Sequence, residues 1–204
     1  MQDDEYKTIV GESFGLYREK KSKFIAMAFP VGSKEEIKNK LIALRKEYHD
    51  ARHHCYAYQL GHETPLSRVN DDGEPSGTAG RPIHGQILSK ELTNILVVVV
   101  RYFGGTKLGV SGLINAYKTA AKDALDKAEI VKRTINDYFE ITFDYPQMNY
   151  IKRIIKENNI EQIDQKFEAV CKITISVRRK ISNDIIQRFD KINSVIIKPV
   201  EICK

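Results

Sequence analysis

The stretch Ile95-Leu-Val-Val-Val-Val-Arg-Tyr-Phe103 is an apolar and aromatic run that a single charge, Arg101, interrupts. It is rich in β-branched residues and lacks the polar–apolar alternation of a half-exposed strand, so it predicts a strand buried on both faces. After a glycine-rich turn over 104–109, the segment 110–125 places small and apolar side chains at helical spacing. The sequence therefore predicts a central strand followed by an amphipathic helix.

The chain upstream of this strand alternates between strand and helix signals. The pattern predicts two or three strands over 5–31, a helix over 34–48 capped by Ser33, a strand over 53–60, a loop over 61–80 and a helix over 81–90. A loop of that length inside a compact domain is usually functional or disordered. The loop is therefore the first place to look for a site.

From residue 136 the hydrophobic pattern restarts as a small set of elements. The pattern predicts a strand over 138–145, a helix from Pro146 to 158, strands over 160–163 and 169–177, a helix capped by Ser182 and running to 189, and a strand over 195–202. The order βαββαβ is the ferredoxin-like, split-βαβ arrangement. We therefore predict an α+β protein with domains over 1–134 and 135–204, meeting near 132–136.

Composition favours a packed protein with a mild preference for anionic partners. The chain has 204 residues, 42% hydrophobic content and a net charge of +6. Its apolar runs are shorter than the roughly 20 residues of a membrane helix, and its first residues are acidic where a secretory signal is basic. Cys55, Cys171 and Cys203 fit neither a disulfide framework nor a zinc knuckle, so we expect reduced thiols and a cytoplasmic location.

Two glycine-rich segments, 70–82 and 101–112, each precede a predicted helix. Free N–H groups at a helix N-terminus, with basic side chains beside them, are the ingredients of an anion site. The alternative is that the glycines only close tight turns and allow close packing. The predicted anion or nucleic-acid site consists of Ser76, Gly77, Thr78, Gly80, Arg81, Arg101, Gly104, Gly105 and Lys107. Neither segment has the glycine spacing of an ATP or NAD motif, and we expect no cofactor.

The acidic residues Asp71, Asp72 and Glu74 admit two interpretations. Clustered carboxylates can bind a divalent cation, but Asp-Asp-Gly is also a common turn in which aspartates bond to nearby backbone N–H groups. We favour the turn-and-cap role, with Asp71 or Asp72 as a partner that holds Arg101 in place. In that case Arg101 clamps the long loop.

Transition-metal ligands are sparse in the sequence. The residues His49, His53, His54 and Cys55 form the one candidate cluster, but strand alternation sends His54 to the face opposite His53 and Cys55. We therefore favour a packed or loop-contacting His53 over zinc, and we expect no bound metal.

A second basic group lies in the predicted C-terminal domain. Its members are Lys172, Arg178, Arg179, Lys180 and Arg188. Such a group is either a secondary nucleic-acid patch or a solvated face, and the latter is the more common case.

Three stretches together resemble the signature of the Impact family. They are Asp71–Pro82, Val97–Gly109 and Gly112–Tyr117, and 52–58 also resembles the strand that this family carries ahead of its long loop. The C-terminal part resembles, by arrangement, the second domain of the bacterial two-domain members, the YigZ type. The resemblance implies an N-terminal domain like the second domain of ribosomal small-subunit protein five and a C-terminal domain like the last domain of elongation factor G. It also implies a eukaryotic relative that regulates translation by competing for a kinase activator.

These observations favour a non-enzymatic binding or regulatory protein connected with translation. Its expected partner is RNA, the ribosome, a translation-regulatory protein or another phosphate-bearing ligand, held between segments 76–81 and 101–109. Two alternatives stay open: an enzyme acting on a phosphorylated or nucleotide-like small molecule, and a protein-interaction regulator that binds no nucleic acid.

Overall fold

The computed structural model describes residues 4–62 and 64–201, which fold as two compact units. Residues 6–133 form one unit, and residues 134–201 form the other together with Asp4 and Glu5. Each unit contains both helices and antiparallel strands. The predicted α+β class is therefore confirmed, whereas the exact boundary between 134 and 135 stays a prediction.

The N-terminal unit is built on an antiparallel sheet. Its elements are β1 (Glu5–Ile9), β2 (Ser13–Glu19), β3 (Ser22–Pro30), α1 (Lys34–Glu47), β4 (His53–Leu60), β5 (Leu66–Asn70), α2 (Gly80–Ser89), β6 (Ile95–Tyr102), α3 (Gly109–Asp126) and β7 (Ile130–Thr134). The main sheet has the order β2-β3-β6-β4-β5, and β1 pairs with β7 in a separate two-stranded sheet. Ser33 caps α1 as predicted, because its hydroxyl accepts a hydrogen bond from the backbone N–H of Glu36.

The unbroken apolar run of β6 is explained by its place at the centre of this sheet. Residues 95–101 are all buried. On one face, β6 packs with α2 and α3 in a core that includes Val97, Val99 and Tyr117. On the other face, Val98 and Val100 pack with α1. Both faces are covered, so every position of the strand favours an apolar side chain.

The predicted loop over 61–80 is wrong in one part, because it contains strand β5. This strand pairs with β4 alone and lies at the edge of the sheet, with residues 66–69 exposed. An exposed edge strand lacks the buried apolar face that produces a period-two pattern, so the sequence gives little sign of it. The short strand β7 was missed as well.

The C-terminal unit has the predicted βαββαβ order. Its elements are β8 (Asn136–Phe143), a 3₁₀ turn (Tyr145–Gln147), α4 (Met148–Glu157), β9 (Glu161–Phe167), β10 (Cys171–Arg178), α5 (Arg179–Asp190) and β11 (Ile196–Pro199). The sheet order is β11-β8-β10-β9, with every neighbouring pair antiparallel. Both helices contribute to a core against the sheet through residues such as Ile151, Ile173 and Phe189.

The predicted capping role of Ser182 is wrong. Helix α5 already begins at Arg179, and the buried Ser182 hydroxyl donates to the carbonyl of Arg179 inside the first turn. A serine in that position bonds to the preceding turn instead of starting the helix.

Cys55 and Cys171 are buried free thiols, and Cys203 lies outside the described residues. Within 4–62 and 64–201, the helices are too short or too polar to cross a membrane.

Candidate functional site

Asp71 occupies the N-terminus of α2. Its Oδ1 accepts hydrogen bonds from the backbone N–H groups of Ala79 (3.0 Å) and Gly80 (2.8 Å), and its Oδ2 accepts from Gly77 (2.8 Å). A negative charge at this end of a helix is also favoured by the helix dipole. Within the stretch Ser76–Gly80, predicted to hold an external anion, the backbone N–H groups of Gly77, Ala79 and Gly80 are therefore used by the protein's own carboxylate, and that of Thr78 donates to the carbonyl of Pro75.

This arrangement controls the ionisation of Asp71. Burial alone would raise its pKa, but the N–H groups of Gly77, Gly80 and Ala79 outweigh burial, so the pKa lies below its ordinary value. The charge of Arg81 acts in the same direction. Arg81 thus supports Asp71 electrostatically.

We expect Asp71→Asn to lower the free energy of unfolding at neutral pH by about 1–2 kcal/mol, since the amide keeps one acceptor oxygen but loses the charge. In the unfolded chain an aspartate titrates near pH 3.9 and in the fold lower still. The stabilisation is therefore complete above about pH 4 and is lost as pH falls through the folded pKa. Urea unfolding from neutral to strongly acidic pH should show the two proteins converging as pH falls. Glu168→Gln, an exposed carboxylate, controls for net charge, and parallel pH curves for wild type and D71N would contradict this role.

Asp72 bonds to residues on the α1 side of the main sheet. Its carboxylate accepts from the backbone N–H of His54 (2.6 Å) and pairs with Arg45 of α1 (2.6 Å). Its carbonyl lies 2.8 Å from Nδ1 of His53. The turn requires positive φ at Asp72 and Gly73 (41° and 85°), where aspartate and glycine are well tolerated.

Glu74 is buried and is the partner of Arg101. Its Oε1 lies 2.5 Å from Nη1 of Arg101 and accepts a hydrogen bond from the hydroxyl of Tyr117 (2.8 Å). The Cys55 thiol in turn donates to that hydroxyl (3.3 Å). Within this structure the loop residue that pairs with Arg101 is Glu74, not Asp71 or Asp72.

The pKa of both the Tyr117 phenol and the Cys55 thiol is raised, first because both groups are buried. Neither group is a ready nucleophile at neutral pH, because the reactive form of each is the anion. They serve the Glu74–Arg101 pair as hydrogen-bonding neighbours.

The three carboxylates of the acidic loop (Asp71–Glu74) thus point to three different partners. Among residues 4–62 and 64–201, no group of three or more His, Cys, Asp or Glu side chains is placed to hold a metal ion. His54 lies on the α1 side of β4, as alternation predicts, while the Cys55 thiol reaches the carbonyl of Asp71 on the other side. The geometry favours the turn-and-cap role for these residues.

Beside the Glu74–Arg101 pair lies a cavity of about 440 Å³. Its charged lining residues are Arg52, Glu74, Arg101 and Lys107, its apolar ones include Phe103, Leu108, Val110 and Leu113, and His53 lines it as well. Three cations face one carboxylate there. The guanidinium carbon of Arg101 lies 5.4 Å from the ring centroid of Phe24 and 5.6 Å from that of Phe103, and the buried Nε has no hydrogen-bond partner in the described part of the chain. The cavity is suited to an anionic group attached to an apolar body.

The structure brings only some of the predicted site residues together. Arg101 and Lys107 line the cavity, whereas Arg81 lies near Asp71 and the hydroxyl of Thr78 is used by the carbonyl of Pro75. The other predicted members, Ser76, Gly77, Gly80, Gly104 and Gly105, do not line it. Gly104 instead donates its N–H to the hydroxyl of Ser22 (3.0 Å).

Arg52 and His53 were not predicted as part of this site. A signal exists for His53, which lies directly opposite Arg101 in the β4–β6 register. Cross-strand neighbours on an antiparallel pair share a face, so the alignment of these two strands would have placed His53 beside Arg101.

The positive charges of the predicted basic group in the C-terminal unit are largely compensated by acidic side chains. Lys172 pairs with Glu140 (3.1 Å), Arg178 with Asp4 (2.6 Å) and Glu5 (3.0 Å), and Arg179 with Asp137 (2.8 Å). Arg188 donates to the side-chain oxygen of Asn158, and Lys180 is exposed. The hydrogen bond from Arg178 also lowers the pKa of Asp4. These contacts indicate a structural role for most of the group.

Comparisons with known proteins agree with this architecture. The Impact N-terminal domain model matches residues 20–125. An IMPACT family member of Haemophilus influenzae is 32% identical over 163 residues, which are 79% of each chain, and the family member YigZ of Escherichia coli is 32% identical over 78% of each chain. The crystal structure of a hypothetical protein matches 98% of both chains with 27% identity and a TM-score of 0.75.

Proposed function

The chain belongs to the Impact family, and from this premise we propose that it is a non-enzymatic binding and regulatory protein connected with translation. Its ligand is a phosphate group of RNA or of a ribosome-associated partner, held in the cavity beside Arg101. Membership supports the translation role because the family resemblance implies a translation regulator among the eukaryotic relatives.

The observation that carries this proposal is the charge of the cavity. Arg52, Arg101 and Lys107 line it with Glu74 as the one carboxylate, and Glu74 is already paired with Arg101. The charges of Arg52 and Lys107 are therefore left for a ligand, and cationic side chains of this kind are suited to phosphate oxygens. The apolar wall gives room for a ribose or a base.

The enzyme alternative would place metal-assisted chemistry at the pocket with Asp71, Asp72 and Glu74. Each of these carboxylates is held by a different partner, which supports the binding role over that alternative. A protein-interaction regulator without nucleic-acid binding stays open. Salt separates it from our proposal, because displaced counterions make binding to phosphates weaken steeply as ionic strength rises.

We expect Lys107→Glu to weaken binding of a short single-stranded RNA at low salt by about tenfold or more, because the change reverses a charge at the cavity. Lys107 is exposed, so the melting temperature should stay nearly unchanged. Fluorescence anisotropy with labelled RNA measures the affinity, and recovery of ribosomal material from lysate with and without ribonuclease tests the partner.

The matched control is Lys118→Glu, which makes the same charge change at an exposed position of α3 outside the cavity. If both variants bind RNA as wild type does, the cavity is not the site. If both lose affinity equally, the effect is one of net charge alone.

A further inference from the structure

A second concave surface lies on the other face of the same sheet. The α1 groove, as we name it, is about 340 Å³ in volume and lies between α1 and strands β4 and β5. Its polar lining residues are Lys34, Lys38, Arg45, Arg68, Tyr56 and Tyr58. It has no lining residue in common with the cavity beside Arg101.

The charge of the α1 groove is uniformly positive. Four cations line it, and none of its lining residues is acidic. Arg45 is paired with Asp72 at 2.6 Å. For Lys34, Lys38 and Arg68 the described part of the chain offers no ion pair or side-chain hydrogen bond. Like charges gathered without compensation repel one another, so an anionic occupant would be stabilising there.

The cations extend over a length that exceeds one small anion. Lys34, Lys38 and Arg45 follow one side of α1, and the first and last of them are separated by about 16 Å along the helix axis. Arg68 faces this row from β5, where it is paired in register with Tyr58. The row therefore fits a chain of negative charges.

The hydrogen-bonding groups of the groove indicate whether an anionic peptide or a nucleic acid fits it better. Lysine and arginine are donors only, and phenol hydroxyls also donate. The backbone of β4 is engaged on both sides, by β5 and by β6, so its face offers side chains and few free backbone groups. An acidic peptide would also bring acceptors to these donors, but its backbone N–H groups would find few acceptors in the groove, whereas phosphate groups bring acceptors alone. The groove therefore favours nucleic acid over an acidic peptide.

The size and the apolar lining of the α1 groove favour single-stranded over double-stranded nucleic acid. The groove has a volume of about 340 Å³, near the lower end of small-ligand pockets, which span about 300–1,000 Å³, so a flexible single strand follows it more readily than a rigid duplex. Tyr56, Tyr58 and Ile37 are buried in the core and, with Leu41, form only the apolar floor of the groove. Bases would contact this floor at its surface, and the main contacts of a strand would be those of its phosphates.

We propose that the α1 groove is a second RNA-binding site, which takes a single-stranded segment with its phosphates along Lys34, Lys38, Arg45 and Arg68. The proposal does not depend on the cavity beside Arg101. A protein with both sites binds one RNA at two faces of its N-terminal unit.

The test compares two double variants of the full chain that change the net charge equally. In Lys38→Glu/Arg68→Glu both changes lie in the groove, and in Lys46→Glu/Lys118→Glu both lie outside it, all four at exposed positions. We expect the groove variant to bind labelled single-stranded RNA at least about tenfold more weakly at low salt, with a salt slope reduced by about 1.4 for two lost phosphate contacts. Lys34→Ala/Lys38→Ala, which introduces no new charge, should weaken binding in the same direction.

Each other outcome overturns the proposal. Equal weakening in the two double variants would mean a net-charge effect. Loss of RNA binding in Lys107→Glu but not in the groove variant would leave the proposed function standing and remove the groove. A mononucleotide or inorganic phosphate that binds the groove as tightly as RNA would show a small-anion site, and an acidic peptide that binds in place of RNA would show a protein-docking site.

Discussion

Replacing Glu74 with alanine is expected to lower the free energy of unfolding by about 3–5 kcal/mol, because it leaves the buried charge of Arg101 without its partner. The side chains of Glu74 and Arg101 are only 4% and 7% exposed. The change also removes the acceptor of the Tyr117 hydroxyl and leaves a buried donor unsatisfied. Urea unfolding at neutral pH measures the loss.

Two further variants isolate the cause. Glu157→Ala removes an exposed partner of Arg153 and should cost about 0.3–0.5 kcal/mol. Replacing both Glu74 and Arg101 with methionine removes both buried charges and should recover much of the stability. A loss below about 1 kcal/mol in E74A would mean that the loop is not clamped by this pair.

Gly104→Ala is expected to be the second large effect, a destabilisation of at least about 3 kcal/mol. A Cβ atom at Gly104 would lie 2.1 Å from the carbonyl carbon of Lys21 and 2.2 Å from the backbone nitrogen of Ser22. Both contacts are with backbone, so the turn between β2 and β3 would have to move away. The hydrogen bond from Gly104 to Ser22 would be weakened with it. Close packing thus explains the glycine at position 104, which the sequence assigns to a predicted anion site.

Gly85→Ala is the matched control, since a Cβ at this exposed position of α2 meets nothing within 4 Å. Because glycine is a poor helix former, the control should be neutral or stabilising by up to about 1 kcal/mol. Thermal and urea unfolding of the two variants give the comparison. Wild-type stability in G104A would show that the two segments are not in close contact.

The core of the N-terminal unit was predictable because buried positions are occupied by apolar residues in a regular pattern. Strand β6 is apolar from Ile95 to Val100 since both of its faces are covered, and α3 shows its single buried face as a helical period. The βαββαβ order of the C-terminal unit was readable for the same reason. The family resemblance was confirmed by the match over residues 20–125.

The site was less predictable, because the backbone conformation determines which of its side chains contact each other. Three acidic residues lie within four positions, and the positive φ values of Asp72 and Gly73 decide which of them faces Arg101. A helix N-terminus attracts an anion, but the sequence alone did not show that Asp71 would supply it from within the chain. The α1 groove could not be predicted because part of its lining comes from β5, and this strand has no buried face that would mark it in the sequence.

The three attachments of the acidic loop also affect the rate at which a ligand binds in the cavity beside Arg101. Asp71 ties the loop to α2, Asp72 ties it to α1, and Glu74 ties it to β6 and α3. Opening the loop would break all three attachments, so these contacts favour a fixed wall over a lid. We therefore expect a ligand of the cavity to associate without a slow conformational step, at a rate governed by diffusion and by the attraction of the surrounding cations.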